Sequence, residues 1–156
     1  MEEQLRIIPG QCIGPFRVGE PAGPQEALLE GAGAVVLEQR GDMRLVHSRD
    51  VTLFIEDEVV TQVGIHDEHP GRTAEGLGLG VTLGEIDGVL LLDPVNEVLL
   101  LEGVEGLCFS TDEEREAVAE VEEGRPPVLP QGARISWIGV LPREIDSPEA
   151  VPVRLE

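Results

Sequence analysis

Four apolar runs, at 34–37, 43–47, 51–55 and 59–66, are rich in β-branched residues and separated by short polar breaks. Two of the breaks, Ser48-Arg49-Asp50 and Glu56-Asp57-Glu58, have the length and polarity of tight turns. This pattern predicts an antiparallel meander. The stretch 7–19 before it is punctuated by Gly and Pro and predicts short extended pieces. Between the two, a short helix is expected over 24–30, with Pro24 at its first position and Gly31 as its stop. Ala27 and Leu28 give that helix an apolar face.

The pattern then starts again. Gly76-Leu77-Gly78-Leu79-Gly80 leads into Thr82 and Glu85, which have capping-box spacing and predict a helix over 83–91. Asp93-Pro94 ends it, because the residue before proline resists the helical region. Strands are predicted at 97–101, 106–110 and 133–141. Between the last two lies a predicted acidic helix, 112–123, with Thr111 and Glu114 as a second capping box and Gly124 as its stop. Residues 125–130 form a stiff Pro-rich connector, and the tail from 142, with Pro148 and Pro152, reads as an irregular strap.

Laid over each other, the halves agree in order: a Gly-containing lead-in, a short helix, then strands joined by tight turns. Self-similarity at about 60 residues points to tandem copies of one unit. The expectation is one domain over 1–156, of α+β class, built from two repeats that each pack a short helix on an antiparallel meander. Repeat one covers about 7–66. Repeat two covers about 76–140, with a helical acidic insertion at 111–132 and a tail at 142–156.

The phrases Ile13-Gly14-Pro15-Phe16-Arg17-Val18-Gly19 and Leu79-Gly80-Val81-Thr82-Leu83-Gly84-Glu85 resemble the lead-ins of small bacterial repeat domains. Those domains are similar to the β-lactamase inhibitory protein and the small lipoproteins of outer-membrane assembly. The resemblance implies a concave sheet used for binding rather than catalysis, and carries no functional residue over. The chain departs from the pattern in having two cysteines where the inhibitory protein has paired disulfides, in the 111–132 insertion, and in lacking a lipoprotein signal.

Charge narrows the partners. Eleven basic residues, all Arg, stand against 31 Asp and Glu, for a net charge of −20. Such a surface repels phosphate backbones and anionic lipid, so nucleic acid and membrane are disfavoured and a basic protein is favoured. The acidic opening Met1-Glu2-Glu3-Gln4 has no signal-peptide character, which with the 41% hydrophobic fraction predicts a soluble cytoplasmic protein. Cys12 and Cys108, far apart in apolar contexts, read as buried free thiols.

Candidate chemistry is sparse. His66, Asp67 and His69, with Glu68 between them, carry the only ligand-type cluster for a divalent ion, with His47 on a neighbouring strand. The plainer reading of the same residues is a polar loop. Ser48 beside His47 would point away from it on a strand, neither cysteine has a local His, and Gly76–Gly80 lacks phosphate-loop spacing. No cofactor is indicated. Trp137, the sole Trp, reads as a core anchor in preference to a binding hot spot on the sheet. The helix 112–123 carries seven acids and one Arg, and Asp112, Glu113, Glu114, Glu116 and Glu120 are its candidate contacts for a basic partner. The expected role is a non-catalytic bacterial protein-binding module, of inhibitor or immunity type. The alternative is a metal or small-ligand protein, or an enzyme, using His47, His66 and His69.

Overall fold

A computed structural model describes residues 6–142 and 149–156. The expected acidic opening, and the part of the tail from 143 to 148 that includes Pro148, lie outside the described residues. The described residues open on a three-stranded antiparallel piece, β1 (Ile7–Ile8), β2 (Cys12–Ile13) and β3 (Phe16–Arg17). Helix α1 (Ala22–Gly31) follows. A four-strand meander comes next: β4 (Val36–Arg40), β5 (Met43–His47), β6 (Val51–Glu56) and β7 (Val59–Ile65). Its β6–β7 turn places Asp57 and Glu58 both at positive φ, the backbone twist that matches a two-residue hairpin.

The second half holds β8 (Leu90–Asp93), β9 (Val98–Leu101), β10 (Leu107–Ser110), α2 (Glu114–Glu122), β11 (Val128–Leu129) and β12 (Trp137–Val140). The tail adds β13 (Val151–Pro152) and β14 (Arg154–Leu155). Nine strands form one antiparallel sheet in the order β13-β8-β9-β10-β12-β7-β6-β5-β4. Strand β12 is the joint: Ile138 pairs with Ile65 of β7 on one side and with Phe109 of β10 on the other. The described part of the tail is an ordered strap, with β13 pairing β8 and β14 running parallel to β11.

Strand alternation divides this sheet into two unlike faces. One carries Val46, Leu53, Val63, Ile65, Ile138, Val140, Phe109, Leu99 and Leu92, all buried. Every sheet residue of the hydrophobic core cluster lies on this face. Ile7, Ile13 and Phe16 from the N-terminal piece, Ala22 and Leu29 from α1, Leu77, Leu79 and Leu83, and Ala117 and Val118 from α2 join the same cluster. The other face carries Glu38, His47, Thr52, Phe54, Gln62, Trp137, Val98 and Leu100, most of them only half-buried, together with the buried Leu45 and Cys108. We call these the core face and the open face.

The tandem-repeat expectation is overturned. The described residues contain fourteen strands and only two α-helices, and nine of the strands share one mostly β architecture rather than two helix-on-meander units. The second lead-in fails as a helix start. The Thr82–Glu85 capping box does form, with Glu85 accepting from Thr82 Oγ1 at 2.6 Å. It caps a single 3-10 turn, Leu83–Glu85, and Ile86 already has extended φ/ψ. Gly88, at φ 118°, then turns the chain into β8. Leu90 and Leu92 have strand spacing, and the core face buries both. Asp93 does stop the element before Pro94, but the element is a strand, and its carboxylate caps the turn by accepting from Val95 and Asn96.

Candidate functional site

One cross-strand row of the open face runs from His47 to Cys108. His47 pairs with Thr52, Thr52 with Gly64, Gly64 with Gly139, and Gly139 with Cys108. Thr52 Oγ1 stands 3.0 Å from His47 Nδ1 and 3.1 Å from His66 Nε2. Each imidazole is backed by a carboxylate: Glu38 lies 2.8 Å from His47 Nε2, and Asp67 lies 2.8 Å from His66 Nδ1. An ionised carboxylate can only accept, so both outer contacts take the imidazole N–H. Two neutral rings then offer two bare nitrogens to one hydroxyl hydrogen. Four contacts require four hydrogens, and two neutral imidazoles plus one hydroxyl supply three.

Neighbouring charges complete this network. Arg40 and then His47 hold Glu38 below the usual carboxylate range. The backbone N–H of His66 donates to the Asp50 carbonyl. His69 does not join. Its Nδ1 accepts from the Gly71 N–H at 3.0 Å, and burial first, with the proximity of His66 opposing nearby Asp50, favours its neutral form. The histidines thus divide. His47 and His66 meet on Thr52, while the candidate metal set His66, Asp67 and His69 is not brought together. Among the described residues no three His, Cys, Asp or Glu groups are placed to hold a metal ion. Thr52 is 3% exposed, so the hydroxyl between the two bases sits inside the sheet surface.

Trp137 lies on the same face, half-buried rather than in the core cluster. Its indole covers Gly64 and Gly139. A Cβ at Gly64 would come within 2.8 Å of the ring, and one at Gly139 would overlap it. These two glycines therefore form a trough that only backbone can line. Phe54 meets the indole edge-on at 6.5 Å between centroids. Cys108, in the same row as Gly139, is buried, and desolvation pushes its thiol up to about 12, so it is inert as a nucleophile. Cys12 and Cys108 are both free and buried, as expected.

One end of the open face runs into the acidic margin. Trp137 pairs with Ser110, and the chain turns at Thr111 into α2. Glu97, Asp112, Glu113, Glu114, Arg115 and Glu116 line a depression of about 570 Å³ there. The five candidate contacts separate. Glu114 is only 6% exposed, its carboxylate accepts from the Thr111 N–H, and burial raises its pKa. That carboxylate is taken up by the turn into α2. Asp112, Glu113 and Glu116 are exposed, and Glu120 is half-buried. Glu97, in the β8–β9 turn at φ 56°, is an acid of this margin that sequence reading missed, since its place depends on sheet pairing.

No protein-family model, curated protein or solved structure matches the chain. The resemblance to the inhibitory-protein and assembly-lipoprotein domains is neither supported nor opposed by these comparisons. Among the described residues no helix is long and apolar enough to cross a membrane.

Proposed function

We propose that the chain is a non-catalytic module that binds a basic protein partner across the open face and its acidic margin. The observation that carries this reading is Trp137, a half-buried indole seated over two glycines, with an acidic depression at the end of its own cross-strand row. Interfaces draw most of their affinity from an aromatic anchor, with a charged rim that speeds encounter and sets partner sign. The net charge of −20 supplies that rim at long range. An inhibitor or immunity protein acting on a basic target would use the surface in this way, and two free buried thiols suit a cytoplasmic setting.

The convergence of His47 and His66 on Thr52 favours a second reading, in which a hydroxyl is activated by a base that a carboxylate orients. Against it, Thr52 is buried and does not line the acidic depression. The same four contacts tie β4, β5, β6 and the end of β7 together beneath the proposed interface.

The test uses immobilised chain and source-cell lysate at low and high salt. A basic protein held at low salt, released at high salt and lost with Trp137→Ala establishes the reading. Adding that protein must also shift the fluorescence of the single Trp. A retained set that is identical for Trp137→Ala, or insensitive to salt, removes it.

A further inference from the structure

The core is not sealed everywhere. A cleft of about 470 Å³, within the range of small-molecule sites, opens between the β1–β2 turn, the 73–88 segment and the 101–107 turn. Its floor belongs to the core: Leu77 and Leu107 are buried core members, and Leu101 and Val104 pack against them. Thr73, 7% exposed, adds a hydroxyl to the lining. Its oxygen accepts from the Leu77 N–H at 3.0 Å, and its own hydrogen meets no acceptor among the described residues.

The charged groups around this apolar floor have one sign. Glu75, Glu85, Asp87 and Glu102 line the cleft, and no Arg does. Glu85 is committed to Thr82, whose hydrogen bonds keep it ionised. Glu75, Asp87 and Glu102 make no hydrogen bond or ion pair with any described residue. Among the described residues six acids elsewhere are ion-paired with Arg, namely Glu20 with Arg17, Glu26 and Glu58 with Arg44, Glu38 with Arg40, Glu123 with Arg125 and Glu156 with Arg154. What sets Glu75, Asp87 and Glu102 apart from the other unpaired acids is their place around the apolar floor. Three unpaired carboxylates therefore surround an apolar opening. Apolar surface beside fixed negative charge selects a ligand with a hydrocarbon body and a cationic head, and rejects an anion of the same shape.

We propose that this cleft is a binding site for a small amphipathic amine, its hydrocarbon body on the Leu77–Leu107 floor and its ammonium among Glu75, Asp87 and Glu102. The site lies on the core side of the sheet, away from Trp137, so it stands apart from the protein-binding reading.

Hexylammonium and hexanoate, equal in body and opposite in charge, are the probes, titrated into the full chain by calorimetry and amide NMR. Hexylammonium should bind saturably and shift amides of 75–88 and 101–107, whereas hexanoate should not. The triple variant Glu75→Gln, Asp87→Asn, Glu102→Gln changes only exposed side chains and keeps their shapes. It should weaken hexylammonium about tenfold, the order expected of three partly screened charge contacts. Saturable hexanoate binding of equal strength, absence of hexylammonium saturation, or unchanged affinity in the triple variant would each overturn the site.

Discussion

The two faces of the nine-stranded sheet are made by the same strands and differ in almost every physical respect. From β8 across to β6 the core face is aliphatic with one large aromatic, largely buried, and continuous with both helices, and only at the β4–β5 edge do Leu37 and Arg44 bring exposure and charge to it. The open face interleaves His, Thr, Gln, Glu and two aromatics with the glycines 64 and 139, and although Leu45, Thr52 and Cys108 are buried on it, its polar and aromatic side chains meet through directed contacts. Alternation with period two lets one stretch of backbone meet both requirements. A residue's place in the β-ladder therefore says more about its role than its hydrophobicity does. Trp137 and Phe109 are both large aromatics, yet one serves the surface and the other the core.

That contrast can be broken most sharply by truncation. Phe109→Ala should cost about 3–5 kcal/mol in urea denaturation, the range for emptying a packed aromatic site. Trp137→Ala should cost less than half as much while abolishing partner retention. Equal costs would erase the distinction between the faces. Next in size is Thr52→Val, which keeps shape and removes both imidazole contacts. It should destabilise by about 1–3 kcal/mol, and Thr52→Ser should restore most of the loss. Gly139→Ala should cost about 1–3 kcal/mol by driving the indole out of its trough, with a shift in Trp emission that Phe109→Ala does not share.

Smaller effects sharpen the margin of the open face. Glu114→Ala should cost about 1 kcal/mol by leaving the Thr111 N–H without its carboxylate acceptor. Glu114→Gln keeps an acceptor. The folded pKa of Glu114 is raised by burial, so the folded state binds more protons than the unfolded one in that range. This group's contribution to stability therefore grows as pH falls through the folded value, and Glu114→Gln should remove that component. His69 gives the opposite slope. Burial lowers its folded pKa, so stability is full above the unfolded value near 6.5 and declines as pH falls below it. His69→Gln should flatten that decline in a thermal-melt series from pH 7 to pH 5.

Local signals were legible in the sequence and long-range ones were not. The β-branched runs and polar breaks located β4 through β7, because hairpins join neighbours through short turns. The same Thr–Glu spacing at Thr111 and Glu114 forms no capping box, because α2 begins only at Glu114, whereas the Thr82–Glu85 box was readable. What a cap begins was not, and Thr82 starts a turn that Gly84 and Gly88 cut short. The repeat reading failed because order of elements does not determine pairing: β12 enters between β7 and β10, and no local feature of residues 137–140 announces that. The candidate site shows the same division. A nearby His47 was foreseeable from strand order. Thr52 required the β5–β6 register, which counting back from the Ser48-Arg49-Asp50 turn would have supplied. The open position of Trp137 depended on Gly64, 73 residues earlier, facing it across the sheet.

The place of β12 also governs how the chain reaches its final form. Strands β4 to β7 and β8 to β10 can each assemble from near neighbours, leaving β7 and β10 with unpaired backbone edges until residues 137–140 arrive. Closing that gap joins Ile65 to Ile138 across a long loop, a contact whose entropy must be spent before it returns any stability. Until β12 arrives the two half-sheets would present open edges, and its insertion between them is the expected slow step of folding, which refolding kinetics of a β12 variant such as Ile138→Val would check. A chain cut before residue 137 would keep both edges open and would associate with other copies through them.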